Sequence, residues 1–386
     1  MKKILIIHNN YQNIGGEDLA VISEVQLLKK EYIVDTLYFS NNVDRYLSTL
    51  FWLIFGVNLN SKNKLKKKIE EFQPDIAYVH NTWFRASIGI FNILNKQNIK
   101  TIVKLHNFRY FCTKSFLTKN HFKNDSFCGA CGFEKESSGF INKYFKESFL
   151  KSMLVLRYGK KYYRLLQKSK FKILVLTKFH KKFLIDLGIE DKRISVLPNF
   201  LDLDKVNKKI SKITQRDDYI VYAGRISKEK GVESLIEAFL KSEIAYMKLK
   251  IIGDGPARLD LIKKFQVNNL EFMGEISNAE TLNIIKNAKA VVTSTKLFEG
   301  QPNLLCEASF LEVPSVFPST GGIKEFFPHE YNLCFKQFNY YDLIDKLSLI
   351  KNRKEMEKIS DDNKKFISEI LNEKKILDKF RIVINE

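Results

Sequence analysis

No run of 18 apolar residues occurs anywhere in the 386-residue chain, so no stretch of it reads as a transmembrane helix. The apolar run Ile4-Leu5-Ile6-Ile7 behind Met1-Lys2-Lys3 is too short for a secretory signal and meets no small-residue cleavage site. It reads as a first strand. Cysteine is scarce and odd in number. There are five, of which only three cluster, which argues against a disulfide framework. These absences lead us to expect a cytoplasmic chain. No known nucleic-acid-binding motif appears. Acidic residues run short in one half only. Residues 1–200 hold 34 Lys+Arg against 16 Asp+Glu, whereas residues 201–386 hold 30 against 28. The surplus is densest from Lys96 to Lys182, with aromatics interleaved. Such a face suits nucleic acid, or an anionic membrane surface together with a lipid-phosphate substrate. Lys-rich codon usage explains part of the surplus, but usage alone would not spare the second half.

What the chain does have is alternation. In the first half, apolar runs at Lys3–Ile7, Ile33–Phe39, Ile76–His80, Thr101–His106, Lys172–Leu176 and Ile194–Leu197 read as strands, with amphipathic stretches between them. A polar stretch near Asp202–Asp217 reads as a linker. Strands then recur near Tyr219–Ala223, Leu249–Ile252, Leu270–Met273, Ala290–Thr293 and Ser315–Phe317. Strand–helix alternation predicts parallel sheets covered on both faces, hence two doubly wound α/β domains. The expected domains are 1–200 and 201–370, with a helix at 371–386 packing back on the first. Ligands of such folds bind beyond the carboxyl ends of the strands.

Residues with chemistry do follow the strands. Glu299 and Glu307 flank a helix start at Pro302, a residue suited to a first helical turn, and the open amides near Asn303 and Leu304 favour an anion. Gly224-Arg225 with Lys230-Gly231 follows another strand and offers a forked and a point cation to a phosphate. Gly253-Asp254-Gly255-Pro256 makes a tight turn without being a dinucleotide fingerprint. The backbone near Glu275 and Ile276 could hold a nucleobase. Gly321-Gly322, and Gly15-Gly16 behind Ile14, expose amides. His106 ends one strand, and His80 and His8 end others.

This pattern resembles glycosyltransferase family 4 (group 1), the retaining enzymes of GT-B fold, whose two Rossmann-like domains face a cleft. The motifs that carry the resemblance are Glu299-x7-Glu307, Gly224-Arg225, Lys230-Gly231, Gly253-Asp254-Gly255-Pro256, Pro198-Asn199 and Gly321-Gly322 with Glu325. The resemblance implies that Arg225, Lys230, Gly16, Asn303 and Leu304 bind the donor diphosphate. It implies that Glu307, Gly15, Gly253 and Gly322 lie along the ribose and sugar, and Ile276 by the base. Glu299 and His106 would act on the donor sugar, with Glu299 an orienter rather than a nucleophile and with no metal required. Asp202-Leu203-Asp204 looks like a metal-holding acidic pair but falls at the linker, so it reads as structural. Cys-containing insertions occur in polysaccharide-building members of the family. The implied activity is transfer of a sugar from a nucleotide-diphosphate sugar to a lipid-linked surface glycan, at the inner face of the cell membrane. The basic helix near Lys143–Lys168 would touch that surface.

The segment around Cys112, Cys128 and Cys131 offers three thiols with one close pair. Structural zinc needs four ligands, usually in two pairs. We therefore read reduced thiols in preference to zinc, whose fourth ligand would be His121 or His106. The rival readings are a nucleic-acid binder using the basic face, which leaves the Glu pair without a role, and an inactive GT-B scaffold, against which the intact Glu299, Glu307, Arg225 and Lys230 argue.

Overall fold

The computed structural model describes residues 1–11, 15–40, 56–83, 85–112, 117, 121, 127–135, 141, 148–202 and 216–386. Ile14, the start of the basic helix near Lys143, most of the linker, and Leu203-Asp204 lie outside them. The chain forms two compact units, Met1–Phe200 with Glu373–Glu386, and Leu201–Asn372.

The first unit runs β1 (Lys3–Asn10), α1 (Gly16–Leu28), β2 (Ile33–Ser40), α2 (Leu59–Phe72), β3 (Ile76–Val79), α3 (Gly89–Lys96), β4 (Lys100–Leu105), α4 (Arg109–Cys112), α5 (Phe149–Lys168), β5 (Lys172–Val175), α6 (Lys178–Asp186) and β6 (Ile194–Val196). Its six strands are parallel in the order β2-β1-β3-β4-β5-β6. The order reverses between β1 and β3, and such a reversal opens a crevice at the carboxyl ends.

The second unit runs β7 (Tyr219–Ala223), α7 (Val232–Lys241), β8 (Lys248–Ile252), α8 (Arg258–Lys264), β9 (Leu270–Gly274), α9 (Asn278–Asn287), β10 (Ala290–Val292), α10 (Asn303–Phe310), β11 (Ser315–Pro318), β12 (Cys334–Phe335), α11 (Tyr340–Ser348) and α12 (Arg353–Ile370). Its strands are also parallel, in the order β12-β11-β10-β7-β8-β9, with the reversal between β7 and β10. Both doubly wound sheets expected from the alternation are present. β12 was not expected, because two residues carry no pattern to read. The last helix, α13 (Glu373–Asn385), buries Ile376, Leu377 and Phe380 against the first sheet.

Strand residues alternate between the two faces. In the first unit, Leu5, Ile7, Val79 and Val103 pack against α2, α3 and α5 on one side. Ile4, Ile6, Tyr78 and Ile102 pack against α1 and α13 on the other. A fully buried charge interrupts this apolar sheet. Lys104 reaches both oxygens of Glu24 from α1, at 3.1 and 3.0 Å, with side chains only 0% and 2% exposed. Tyr78 donates its hydroxyl to Glu24 (2.8 Å), and the Pro198 carbonyl accepts from Lys104 (3.4 Å). Burial pulls the Lys104 pKa down and Glu24 pulls it back up.

A buried pair of this kind is costly to break on one side only. Glu24→Ala is expected to lower the unfolding free energy by about 3–5 kcal/mol, and the double change Glu24→Leu with Lys104→Met to recover most of that loss. Urea unfolding of the three chains checks this. A single variant within about 1 kcal/mol of the parent would show that the pair carries no such load.

Candidate active site

The second unit concentrates its chemistry at the reversal between β7 and β10. Past β7, the chain turns through Gly224, Arg225 and Ser227 to Gly231, which opens α7. Past β10, it runs through Ser294, Thr295 and Glu299 to α10. The two loops touch through backbone. Lys296 donates its amide to the Glu229 carbonyl (2.9 Å), and Ser294 donates its hydroxyl to the Gly231 carbonyl (2.7 Å). The approach is close because Gly231 lacks a side chain. A Cβ there would stand 2.2 Å from the Ser294 oxygen, at a φ of +68°. Gly321 plays the same part against Glu299, where an added Cβ would lie 2.2 Å from the Glu299 carbonyl. Gly322 donates its amide to that carbonyl at 2.8 Å. Gly253, past β8, lies against the Gly224 carbonyl and donates to Gly274 (2.7 Å).

Glu299 is therefore held by its backbone and also by its side chain. Lys230 meets its Oε1 at 2.5 Å, and Thr295 donates a hydroxyl to the same oxygen at 3.1 Å. Lys230 and Glu299 are 30% and 27% exposed, so the pair faces solvent on one side. Residue types and spacing gave no sign of this pairing, since the two residues stand 69 apart in sequence and only the parallel topology brings their loops together. Thr295 and Ser294 were also missed, and their only signal is a place just past a strand end. Arg225 is exposed, and its guanidinium makes no hydrogen bond or ion pair among the described residues. Tyr222 steadies its backbone, donating to the Arg225 carbonyl (2.8 Å). The Ser227 hydroxyl on the same loop is buried with no partner among the described residues.

Among the described residues no side chain caps α10. The Asn303 amide turns back to the Gln301 carbonyl (3.1 Å), which leaves the Leu304 amide as the open donor of the two. Glu307, in the middle of α10, is half-buried and makes no side-chain hydrogen bond or ion pair among the described residues. Desolvation raises its pKa to about 7. Ile276, between β9 and α9, is half-buried against the core.

In the first unit, three histidines line the carboxyl ends of β1, β3 and β4. His8 Nε2 lies 2.8 Å from Asp18, which also accepts from the Gly15 amide (2.7 Å) and so caps α1. Gly15 is the N-cap and Gly16 the first residue of that helix. His80 Nδ1 contacts His106 Nε2 at 2.9 Å, with the rings stacked. Burial holds both imidazoles well below their usual pKa. Two neutral rings share one proton in that contact, so either tautomer leaves one donor and one acceptor over. The leftover atoms, His80 Nε2 and His106 Nδ1, are buried without a partner among the described residues. Cys112, Cys128 and Cys131 converge elsewhere in this unit, beside His121.

The family model described as Glycosyl transferases group 1 matches residues 204–366. An uncharacterized glycosyltransferase of Methanocaldococcus jannaschii is 25% identical over 252 residues, covering 61% of this chain and 63% of that one. A Bacillus subtilis (strain 168) glycosyltransferase named for teichuronic acid biosynthesis, TuaC, is 31% identical over 116 residues, 30% of this chain and 28% of that one. The chain thus spans less than two thirds of the length of these relatives. Among solved structures, Anabaena HepE in complex with UDP and glucose aligns over all of both chains with a TM-score of 0.70 at 14% identity, a likeness of fold. Among the described residues no helix is long and apolar enough to cross a membrane. The family match runs through nearly all of Leu201–Asn372 and through every loop that builds the cluster there, so this unit is similar to the group 1 glycosyl transferases, and the chain has the GT-B fold.

Proposed function

We propose that the chain moves a sugar from a nucleoside diphosphate sugar to a lipid-linked or growing surface glycan. The observation that carries this reading is the cluster at the β7/β10 reversal. An arginine without a partner among the described residues sits on the same loop as a lysine already locked to a carboxylate, and past β10 a helix starts with no side-chain cap among them. Departure of a nucleoside diphosphate develops negative charge, and preorganised cations and amides stabilise it. Arg225, Lys230 and the Leu304 amide supply that stabilisation, and in this reading the transfer needs no metal. Glu299 Oε1 accepts from both Lys230 and Thr295. A carboxylate so engaged is a poor nucleophile and a good orienter of sugar hydroxyls. This favours retention by same-face attack over a covalent intermediate. Glu307, with its lone pairs unclaimed, suits the vicinal hydroxyls of a ribose.

The named relatives support the finer points. HepE was solved with UDP, which makes UDP the first nucleotide to try, and the name of TuaC points to surface polysaccharide. In the first unit, the leftover nitrogens of His80 and His106 give a hydroxyl-bearing acceptor one donor and one acceptor to meet. α5 bears on its exposed side Phe149, Leu150 and Met153, followed at helical spacing by Arg157, Lys160, Arg164 and Lys168. Apolar residues leading into a basic stripe suit a helix lying on an anionic bilayer.

Calorimetry with UDP, GDP, ADP and CDP is expected to show selective binding of one nucleotide, weakened about 10- to 100-fold in Arg225→Ala, the worth of one or two charge-assisted hydrogen bonds. Binding of none of the four would remove the donor reading. For Glu307 the sign is set by its raised pKa. Between its ordinary 4.5 and about 7 the folded chain holds a proton that the unfolded chain has lost, so stability falls as pH rises through that window. Glu307→Gln should therefore gain on the parent between about pH 4.5 and pH 8, by on the order of 1–3 kcal/mol, in urea titrations at both ends. A pH-independent difference would contradict the desolvated carboxyl. Sedimentation with phosphatidylglycerol vesicles should retain the chain, and Arg157→Glu with Lys160→Glu should release it. Equal retention by neutral vesicles would dismiss the membrane face.

A further inference from the structure

We propose that the first unit holds a structural zinc ion on Cys112, His121, Cys128 and Cys131. One ligand atom from each of these residues falls within 4.8 Å of all the others. Cys112 Sγ stands 3.5 Å from Cys128 Sγ, and His121 Nε2 stands 3.2 Å from Cys131 Sγ. Zinc binds sulfur at about 2.3 Å and imidazole nitrogen at about 2.0–2.1 Å, so a tetrahedral shell has edges of about 3.8 Å between sulfurs and about 3.6 Å from sulfur to nitrogen. The observed separations lie around those edges. They are far longer than the ~2.0 Å of a disulfide, and all of these cysteines are free.

The local fold builds the site. Cys128 and Cys131 sit on a tight hairpin in which Cys128 donates its amide to the Phe133 carbonyl (2.9 Å) and Gly132 donates to the Cys128 carbonyl (2.8 Å). An antiparallel bridge between Phe127 and Glu134 closes that hairpin. Cys112 ends α4, and His121 returns its amide to the Leu117 carbonyl (3.1 Å). Spacing alone showed one close thiol pair and left the fourth ligand open between His121 and His106. The fold decides for His121, because His106 engages His80 instead.

Three sulfurs and one imidazole suit zinc among the biological cations, and four protein ligands leave no open position for a substrate or a reacting water. The ion is therefore structural. Cys112 and Cys128 belong to the core cluster of the first sheet, and Ala130, Cys131 and Phe133 pack against it. The metal thus ties the segment leaving β4, whose first residue is His106, to the core of its own unit. This assignment does not depend on the transferase reading.

The test is the metal content of the full chain, grown with zinc and purified without chelator. We expect about one zinc per chain, near zero in Cys131→Ser, and full retention in Cys334→Ser, whose thiol lies outside the cluster. Where Cys131→Ser fails to fold, the parent chain decides through cobalt exchange. Tetrahedral cobalt with sulfur ligands gives intense visible bands and sulfur-to-cobalt charge transfer. Zinc below about a tenth of an equivalent in the parent, unchanged metal in Cys131→Ser, a pale octahedral cobalt form, or a Cys112–Cys128 disulfide in the native chain would each overturn the assignment.

Discussion

A parallel sheet must be covered on both faces, and most of what is observed in each unit follows from that requirement. Coverage on two sides forces strand–helix alternation and near-continuous apolar strands such as Ile4-Leu5-Ile6-Ile7. It leaves the carboxyl ends of the strands as the place where loops can diverge. Where the strand order reverses, two neighbouring loops part to opposite faces and a crevice opens. In the second unit that point lies between β7 and β10, and Arg225, Lys230, Thr295 and Glu299 all sit on the loops that leave those two strands. In the first unit it lies between β1 and β3, whose ends carry His8 and His80.

Because the fold rests on local periodicity, it could be read from residues. Among the described residues, each strand of three residues or more announced itself as an apolar run between turn signals, and only β12, with two residues, did not. The site was legible in kind and not in pairing. Residue type and position after a strand pointed to Arg225, Lys230, Glu299 and Glu307. That Lys230 would meet Glu299, that Asn303 would turn its amide back on Gln301, and that His106 would face His80 are consequences of topology. No spacing rule encodes a contact across 69 residues. The same holds for His121, ten residues from Cys131, which the sequence offered as a fourth ligand beside His106 without deciding between them.

The buried charges separate two uses of ionic groups in one chain. Lys104 and Glu24 are wholly enclosed, and every visible partner of the pair comes from the protein: Tyr78, the Pro198 carbonyl and each other. A pair of that kind contributes little net stability but is costly to break, so it ties α1 to the sheet in one register. Lys230 and Glu299 are similarly close but remain about a third exposed, and Glu299 is fixed through its backbone by Gly321 and Gly322. That pair keeps its geometry without being sealed.

The same distinction between closed and open valence sorts the remaining clusters. Around Cys112, His121, Cys128 and Cys131 the protein supplies four donors to one point, and nothing is left over for a ligand from outside. Around Arg225, Ser227 and Glu307 the opposite holds. A guanidinium, a buried hydroxyl and a desolvated carboxyl all lack partners within the described chain. A buried polar group without a partner costs on the order of 1–3 kcal/mol unless water or a ligand completes it. A closed set of donors holds the fold, and an open set marks where a ligand supplies the missing half. On that criterion the first unit's thiol cluster is a closed set, and the loops past β7 and β10 carry the open one.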